Sequence, residues 1–150
     1  MIQRIQSVYL LIVLVLTSFV LAWPLMELFS DTAGLYDFRV LGIYRNGELL
    51  YCTWPLLMLA VINQLLTLGT IFMYKNRILQ IRMCVLNMLF FIGFCLMLAG
   101  YAWISTEKFE ASVNGNLPMV FPLVNVLLSY LALRAIGKDE AMVRSLNRLR

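Results

Sequence analysis

Long uncharged, mostly apolar runs alternate with short charged segments along this chain of 150 residues. A helix of about 20 residues, rising about 1.5 Å per residue, crosses the roughly 30 Å hydrocarbon core of a bilayer. The runs are this long, and they do not alternate apolar and polar positions as membrane β-strands do. They therefore predict four membrane-spanning helices, at about residues 6–28, 50–74, 83–105 and 117–135.

The segments between these spans differ in charge. Two loops, about residues 29–49 and 106–116, hold three of the twelve Lys and Arg residues, and the side with both termini and the loop 75–82 holds nine. Lys and Arg are enriched on the cytoplasmic side of membrane proteins, so both termini are predicted to be cytoplasmic. The positions of the tryptophans support the same orientation, because Trp favours the membrane interface. All three lie at predicted external ends of spans: Trp23, Trp54 and Trp103.

The first external loop alternates apolar and polar residues at positions 36–40 and then reads Asn46-Gly47. Asn-Gly between strand-like runs is a strong hairpin signal, since a type I′ turn needs positive φ at both positions. Residues 109–113 repeat the pattern more weakly and favour a further strand beside the first. The alternative interpretation is that both loops are plain tight turns.

The C-terminal tail, residues 136–150, has the pattern of an amphipathic helix, with its apolar residues on one stripe and Arg144 and Arg148 opposite. The favoured interpretation is a solvated anchor that only sets the topology. The alternative is a helix that binds anionic lipids of the inner leaflet or a partner protein. The basic residues that would carry the binding are Lys138, Arg144, Arg148 and Arg150.

Together these patterns predict an all-α membrane protein that forms a single domain over residues 1–150. The expected fold is a four-transmembrane-helix bundle with a short external β-hairpin and a cytoplasmic amphipathic tail helix.

The amino-acid composition limits the kinds of activity that this chain is expected to have. Apolar residues make up 62% of the chain and charged residues 13%, against roughly 45–50% and about 25% in soluble domains. Histidine is absent, which removes imidazole bases and the usual haem and zinc ligands. The three cysteines include no C-x-x-C pair, and no phosphate-binding, dinucleotide-binding or hydrolase motif occurs. We therefore expect no enzyme activity, no cofactor and no nucleic-acid partner.

Polar residues inside the predicted spans are the remaining candidates for a site. Asn63 and Thr67 share one face of span two, and Asn125 and Ser129 share one face of span four. Hydrogen bonding between helices is the favoured interpretation, and a solute-binding pocket is the alternative. The possible intramembrane polar cluster comprises Asn63, Gln64, Thr67, Asn125 and Ser129.

Both ends of the chain carry family motifs. The opening residues 1–6 read MIQRIQ, and the closing segment matches the pattern KDE..VRS..RLR at Lys138, Asp139, Glu140, Val143, Arg144, Ser145, Arg148, Leu149 and Arg150. In these features the chain resembles a Bacteroidota family of small four-span inner-membrane proteins of unknown function. The resemblance implies the inner membrane of a Gram-negative bacterium and implies no mechanism.

Three functions follow as hypotheses, in decreasing order of preference. The first is a non-catalytic accessory or scaffold subunit of a membrane protein complex, with another membrane protein as its partner. The alternative is a binding or carrier protein for a lipid or small apolar molecule, using the space between spans two and four. A lipid-modifying enzyme ranks third, with Glu27 and the external acidic residues as its only conceivable catalysts.

Overall fold

A computed structural model describes residues 3–30, 34–73, 76–109 and 112–148, with side chains from residue 5 to residue 142 except at 31–33, 74–75 and 109–111. Within these residues, four strands follow the first helix and a fifth strand precedes the fourth helix. In order they are α1 Gln3–Ala22, β1 Met26–Ser30, β2 Gly34–Arg39, β3 Gly42–Arg45, β4 Glu48–Cys52, α2 Trp54–Phe72, α3 Arg77–Phe109, β5 Ser112–Gly115, a 3-10 turn Leu117–Val120 and α4 Phe121–Arg148.

The four helices pack side by side, with α1 and α3 each contacting both α2 and α4. Each helix contains a stretch long and apolar enough to cross a membrane, and only 28% of each such stretch is buried inside the protein. Large apolar side chains such as Leu65, Leu96 and Leu127 point outward, while Asn63 and Asn125 are fully buried. Apolar side chains outside and polar side chains inside are the reverse of the distribution in a water-soluble domain, and this is the distribution expected of a membrane protein.

The strands form one antiparallel sheet at one end of the helices, here called the sheet end, in the order β4-β3-β2-β1-β5. One face of the sheet is apolar and packs on α2 and α3. This sheet-end core includes Met26, Leu28, Phe38 and Ile43 from the sheet, Leu25 just before β1, and Val20, Leu56, Ala60, Phe94 and Leu98 from α1, α2 and α3. The opposite end, where α1 begins and α4 ends, is the terminal end.

The expected all-α fold is wrong, because five strands are present. The main error lies at β1, which the sequence pattern assigned largely to the first span. The residue before a proline is disfavoured in helical conformation, and α1 ends at Ala22, just before Trp23-Pro24. From Met26 the side chains alternate between the core and the outer face. β1 then pairs with β2 on one side and with β5 on the other.

The Asn46-Gly47 turn forms as predicted, but it belongs to a larger sheet. It joins β3 and β4, with Arg45 opposite Glu48. Asn46 has φ 50° and Gly47 has φ 87°, the positive values that a type I′ turn requires. The expected short hairpin is thus the outer pair of strands in a sheet of five.

The predicted tail is helical through residue 148, but it does not form an element of its own, because α4 continues without a break from Phe121 to Arg148. A glycine inside a helix costs only about 1 kcal/mol, and Gly137 does not end it. Burial of Ile136 and Asp139 against the other helices continues past that glycine. The side chains of Arg144, Arg148 and Arg150 lie outside the described residues.

Gly42 offers a test of the sheet. A Cβ at this position would lie 2.5 Å from Leu49 Cδ1 and 2.5 Å from the Tyr51 carbonyl oxygen. We expect Gly42→Ala to lower the free energy of unfolding by about 1–3 kcal/mol through overpacking, measured by denaturant titration in mixed micelles. Gly69→Ala in α2 is the matched control, because a Cβ there meets nothing within 4 Å. Equal stability of the two variants would contradict the β3–β4 packing.

Candidate functional site

Buried polar side chains from all four helices meet in the interior and form what we call the polar core. Helical spacing places them on the inward faces, at i and i+4 in α2 and again in α4. Each is at most 2% exposed. The members are Thr17, Asn63, Thr67, Asn87, Asn125 and Ser129.

Two threonines connect neighbouring helices in the same way. Thr17 donates its hydroxyl to the Val13 carbonyl oxygen of its own helix, at 2.7 Å, and accepts a hydrogen bond from Asn125 Nδ2 of α4, at 3.1 Å. Thr67 likewise donates to its own helix and accepts from Asn87 Nδ2 of α3, at 2.8 Å. These bonds join α4 to α1 and α3 to α2, so they hold helix pairs together at the depth of the polar core.

The structure brings together only part of the polar cluster expected from the sequence. Asn63 and Asn125 line one cavity. Gln64 instead lies at the edge of the α1–α2 contact, where its Nε2 donates to Ser18 Oγ at 2.9 Å. Sequence spacing left Thr17 and Asn87 out of the cluster, because each pairs with a residue on another helix and neither belongs to a repeated polar pattern.

The cavity in the polar core is very small. Its volume open to the centre of a water molecule is about 10 Å³, which is room for at most one water. Both amide atoms of Asn63 and the Oδ1 atom of Asn125 are buried without a hydrogen-bond partner among the described residues. The space between α2 and α4 therefore suits a single polar molecule of water size and is too small for a lipid chain.

A larger space of about 540 Å³ lies at the sheet end, between the end of α1 and the start of α4, and is here called the lateral groove. Its walls are apolar and include Phe19, Leu117 and Phe121. Glu27 of β1 forms its polar end, where Oε1 accepts a hydrogen bond from Asn116 Nδ2 at 3.2 Å. A space of this size and composition is typical of small-molecule sites.

At the terminal end, the two family motifs meet. Gln6, from the opening motif, donates its Nε2 to Asp139 Oδ2 of the closing motif at 2.5 Å. Arg77 Nη1 donates to the Asp139 carbonyl oxygen at 3.4 Å. Of the four basic residues expected to bind lipid or a partner, only Lys138 has a described side chain, and it is exposed.

The threonine–asparagine bonds can be tested by a double-mutant cycle. We expect Thr17→Val and Asn125→Leu to be coupled by about 0.6 kcal/mol, the average for interhelical hydrogen bonds in membranes, with about 1.7 kcal/mol as the upper end. The free energies of unfolding are measured in mixed micelles. Thr17→Val paired with Asn87→Leu is the control, because Asn87 bonds to Thr67 instead, and it should show no coupling. Equal coupling in both cycles would contradict the proposed pairing.

Comparisons with known proteins identify the family of this chain but indicate no activity. No curated protein gives a significant match to this chain. One family model matches residues 2–149, a range that includes most of the opening motif and nearly all of the closing motif. The chain therefore belongs to the family described as a domain of unknown function, DUF4293.

Proposed function

We propose that this chain is a multi-pass protein of the bacterial inner membrane, with the sheet end outside and both termini in the cytoplasm. The bias of Lys and Arg toward the terminal end supports this orientation. The three tryptophans at the sheet end are 57%, 61% and 70% exposed, as expected of an interfacial belt. Anionic lipids of the inner leaflet are the proposed partners of exposed basic side chains at the terminal end, including Arg82 and Lys138.

Its proposed role is that of a non-catalytic accessory or scaffold subunit, which binds another membrane protein through β4. The observation that supports this role is the exposure of all five residues of this edge strand. Leu49, Leu50 and Tyr51 are 49%, 50% and 44% exposed. An uncovered apolar edge strand is a template for pairing with a strand of another chain.

The apolar surface extends from β4 toward the helices. Cys52 Sγ donates to the Leu41 carbonyl oxygen at 3.6 Å, which places the exposed Leu41 beside the end of the strand. Trp54, the first residue of α2, follows β4 closely in sequence and is also exposed. A partner that covers this surface would reach the level where the helices begin, which favours another membrane protein.

The two edges of the sheet differ in a way that favours one specific partner at β4. The opposite edge, β5, has four residues, Ser-Val-Asn-Gly, and offers little apolar surface. In β4 a register shift leaves Leu50 without an opposing residue in β3. Such bulges disfavour indiscriminate edge pairing, so the partner strand must be matched to the bulge.

The alternative function, binding or carrying a lipid or small apolar molecule, is supported by the lateral groove. The groove is far larger than the cavity between α2 and α4, which admits no lipid chain. In this alternative the ligand would sit between α1 and α4 at the sheet end.

The proposed orientation predicts which cysteines an impermeant reagent reaches. Cys52 is exposed at the sheet end, so a membrane-impermeant maleimide should label it in intact spheroplasts, and Cys52→Ser should abolish the signal. In the Cys52→Ser background, Lys138→Cys should be labelled only after permeabilisation. Labelling of position 138 in intact spheroplasts would reverse the proposed orientation.

The proposed interface predicts position-specific cross-linking. A photoreactive amino acid at position 50 should cross-link one membrane protein in a fixed ratio, and one at position 35 should not. Leu35 is the matched control, because it is 56% exposed on β2 of the same sheet. Leu50→Lys should reduce recovery of that partner at least tenfold, whereas Leu35→Lys should leave it unchanged.

Two results would contradict the accessory role. Equal yields from positions 35 and 50 would show that β4 is no specific interface. Cross-linking of position 50 to a second copy of this chain alone would replace the accessory subunit with a homodimer.

A further inference from the structure

The lateral groove has an aromatic wall. The rings of Phe19 and Trp23 lie 5.9 Å apart, and the rings of Phe19 and Phe121 lie 6.4 Å apart in an edge-to-face arrangement. These contacts connect the end of α1 with the start of α4. The wall therefore presents an apolar surface at the level of the exposed tryptophans, where lipid headgroups meet acyl chains in the proposed orientation.

A negative charge closes the polar end of this groove. Among the described residues that line the groove, Glu27 alone carries an ionisable side chain. A carboxylate can accept about four hydrogen bonds, and the bond from Asn116 occupies one of these positions. Asn116 is itself held in place, because its backbone N–H donates to the Leu25 carbonyl oxygen at 3.1 Å.

The surroundings of Glu27 increase its attraction for a cation. Asp37 lies directly opposite Glu27 on the neighbouring strand, so two carboxylate-bearing residues are side by side in the sheet. The arginines of the adjoining strands keep their charge but stack on tyrosine rings, Arg39 over Tyr44 and Arg45 over Tyr36, and among the described residues the hydrogen-bond partner of the Glu27 carboxylate is Asn116. An anionic headgroup would be repelled at this site, whereas an ammonium group would be attracted and could donate to the free positions on the carboxylate.

We propose that the lateral groove binds a lipid with a primary ammonium headgroup, an aminophospholipid of the outer leaflet. One acyl chain lies against Phe19, Leu117 and Phe121, and the ammonium group donates to the Glu27 carboxylate. This inference rests on the alternative function above, since it names the lipid class, and it is independent of the β4 interface. A primary ammonium is specified because a quaternary ammonium has no N–H to donate.

The test uses the purified full chain in a mild detergent and three lysophospholipids with the same acyl chain. Their headgroups are ethanolamine, choline and glycerol. Binding is followed by tryptophan fluorescence, because Trp23 lines the groove. We expect the ethanolamine lipid to bind at least tenfold more tightly than the other two.

Glu27→Gln should remove the headgroup preference, because the amide keeps the shape and an acceptor for Asn116 but loses the charge. Glu48→Gln is the matched control, with the same loss of charge on an exposed strand residue outside the groove, and it should keep the preference. Gel filtration of both variants checks that they remain folded.

A second pair of variants tests the chain-binding wall. Leu117→Gln should weaken binding of all three lipids at least fivefold, since Leu117 lines the groove. Val120→Gln should have no effect, because Val120 is an exposed apolar residue of the same 3-10 turn that is not among the residues lining the groove.

The possible results distinguish the hypothesis of an ammonium site from the more general hypothesis that the groove binds a lipid. Equal binding of the three lipids, or an unchanged preference in Glu27→Gln, would overturn the ammonium site while leaving lipid binding in the groove intact. Tighter binding of the choline lipid would assign the headgroup to the aromatic rings, and tighter binding of the glycerol lipid would contradict the charge argument. Failure of all three lipids to bind would overturn lipid binding in the groove altogether.

Discussion

The pairing of β1 with β5 is the interaction on which the sheet end depends. It joins the segment after α1 to the segment before α4, which are more than 80 residues apart in sequence. It also brings Asn116 to Glu27 and sets α1 beside the start of α4. Because the same backbone ladder positions the lateral groove and completes the sheet, neither feature could form from one inter-helix segment alone.

The contacts that hold the helices together differ in kind along the length of the bundle. At the sheet end the core is apolar and is shared by the sheet, α1, α2 and α3. Farther from the sheet the contacts include the threonine–asparagine bonds of the polar core. In hydrocarbon, burial of apolar surface gives little preference for protein over lipid, so close packing and directed hydrogen bonds determine which helix faces which. At the sheet end, apolar burial again contributes, since water is near.

Much of this architecture could be predicted from local sequence, and the rest could not for a physical reason. Four long apolar runs identify four helices, and Asn46-Gly47 identifies its turn, because each signal lies within a few adjacent positions. β1 was missed because Met26–Ser30 directly follows an apolar helix and shows its strand pairing only through residues far away. Likewise, helical spacing correctly placed Asn63 and Asn125 on inward faces. The roles of Thr17 and Asn87 and the position of the groove depend on contacts between helices, and a single sequence does not show which helices are neighbours.

The length of α3 has a mechanical consequence. Its 33 residues make a rod of roughly 50 Å, well beyond the roughly 30 Å of hydrocarbon. One end contacts β5, and Arg77 at the other end is bonded to the α4 backbone at Asp139. It has no proline inside it, the residue that most often kinks a helix, so one continuous hydrogen-bonded rod connects the sheet to the terminal end.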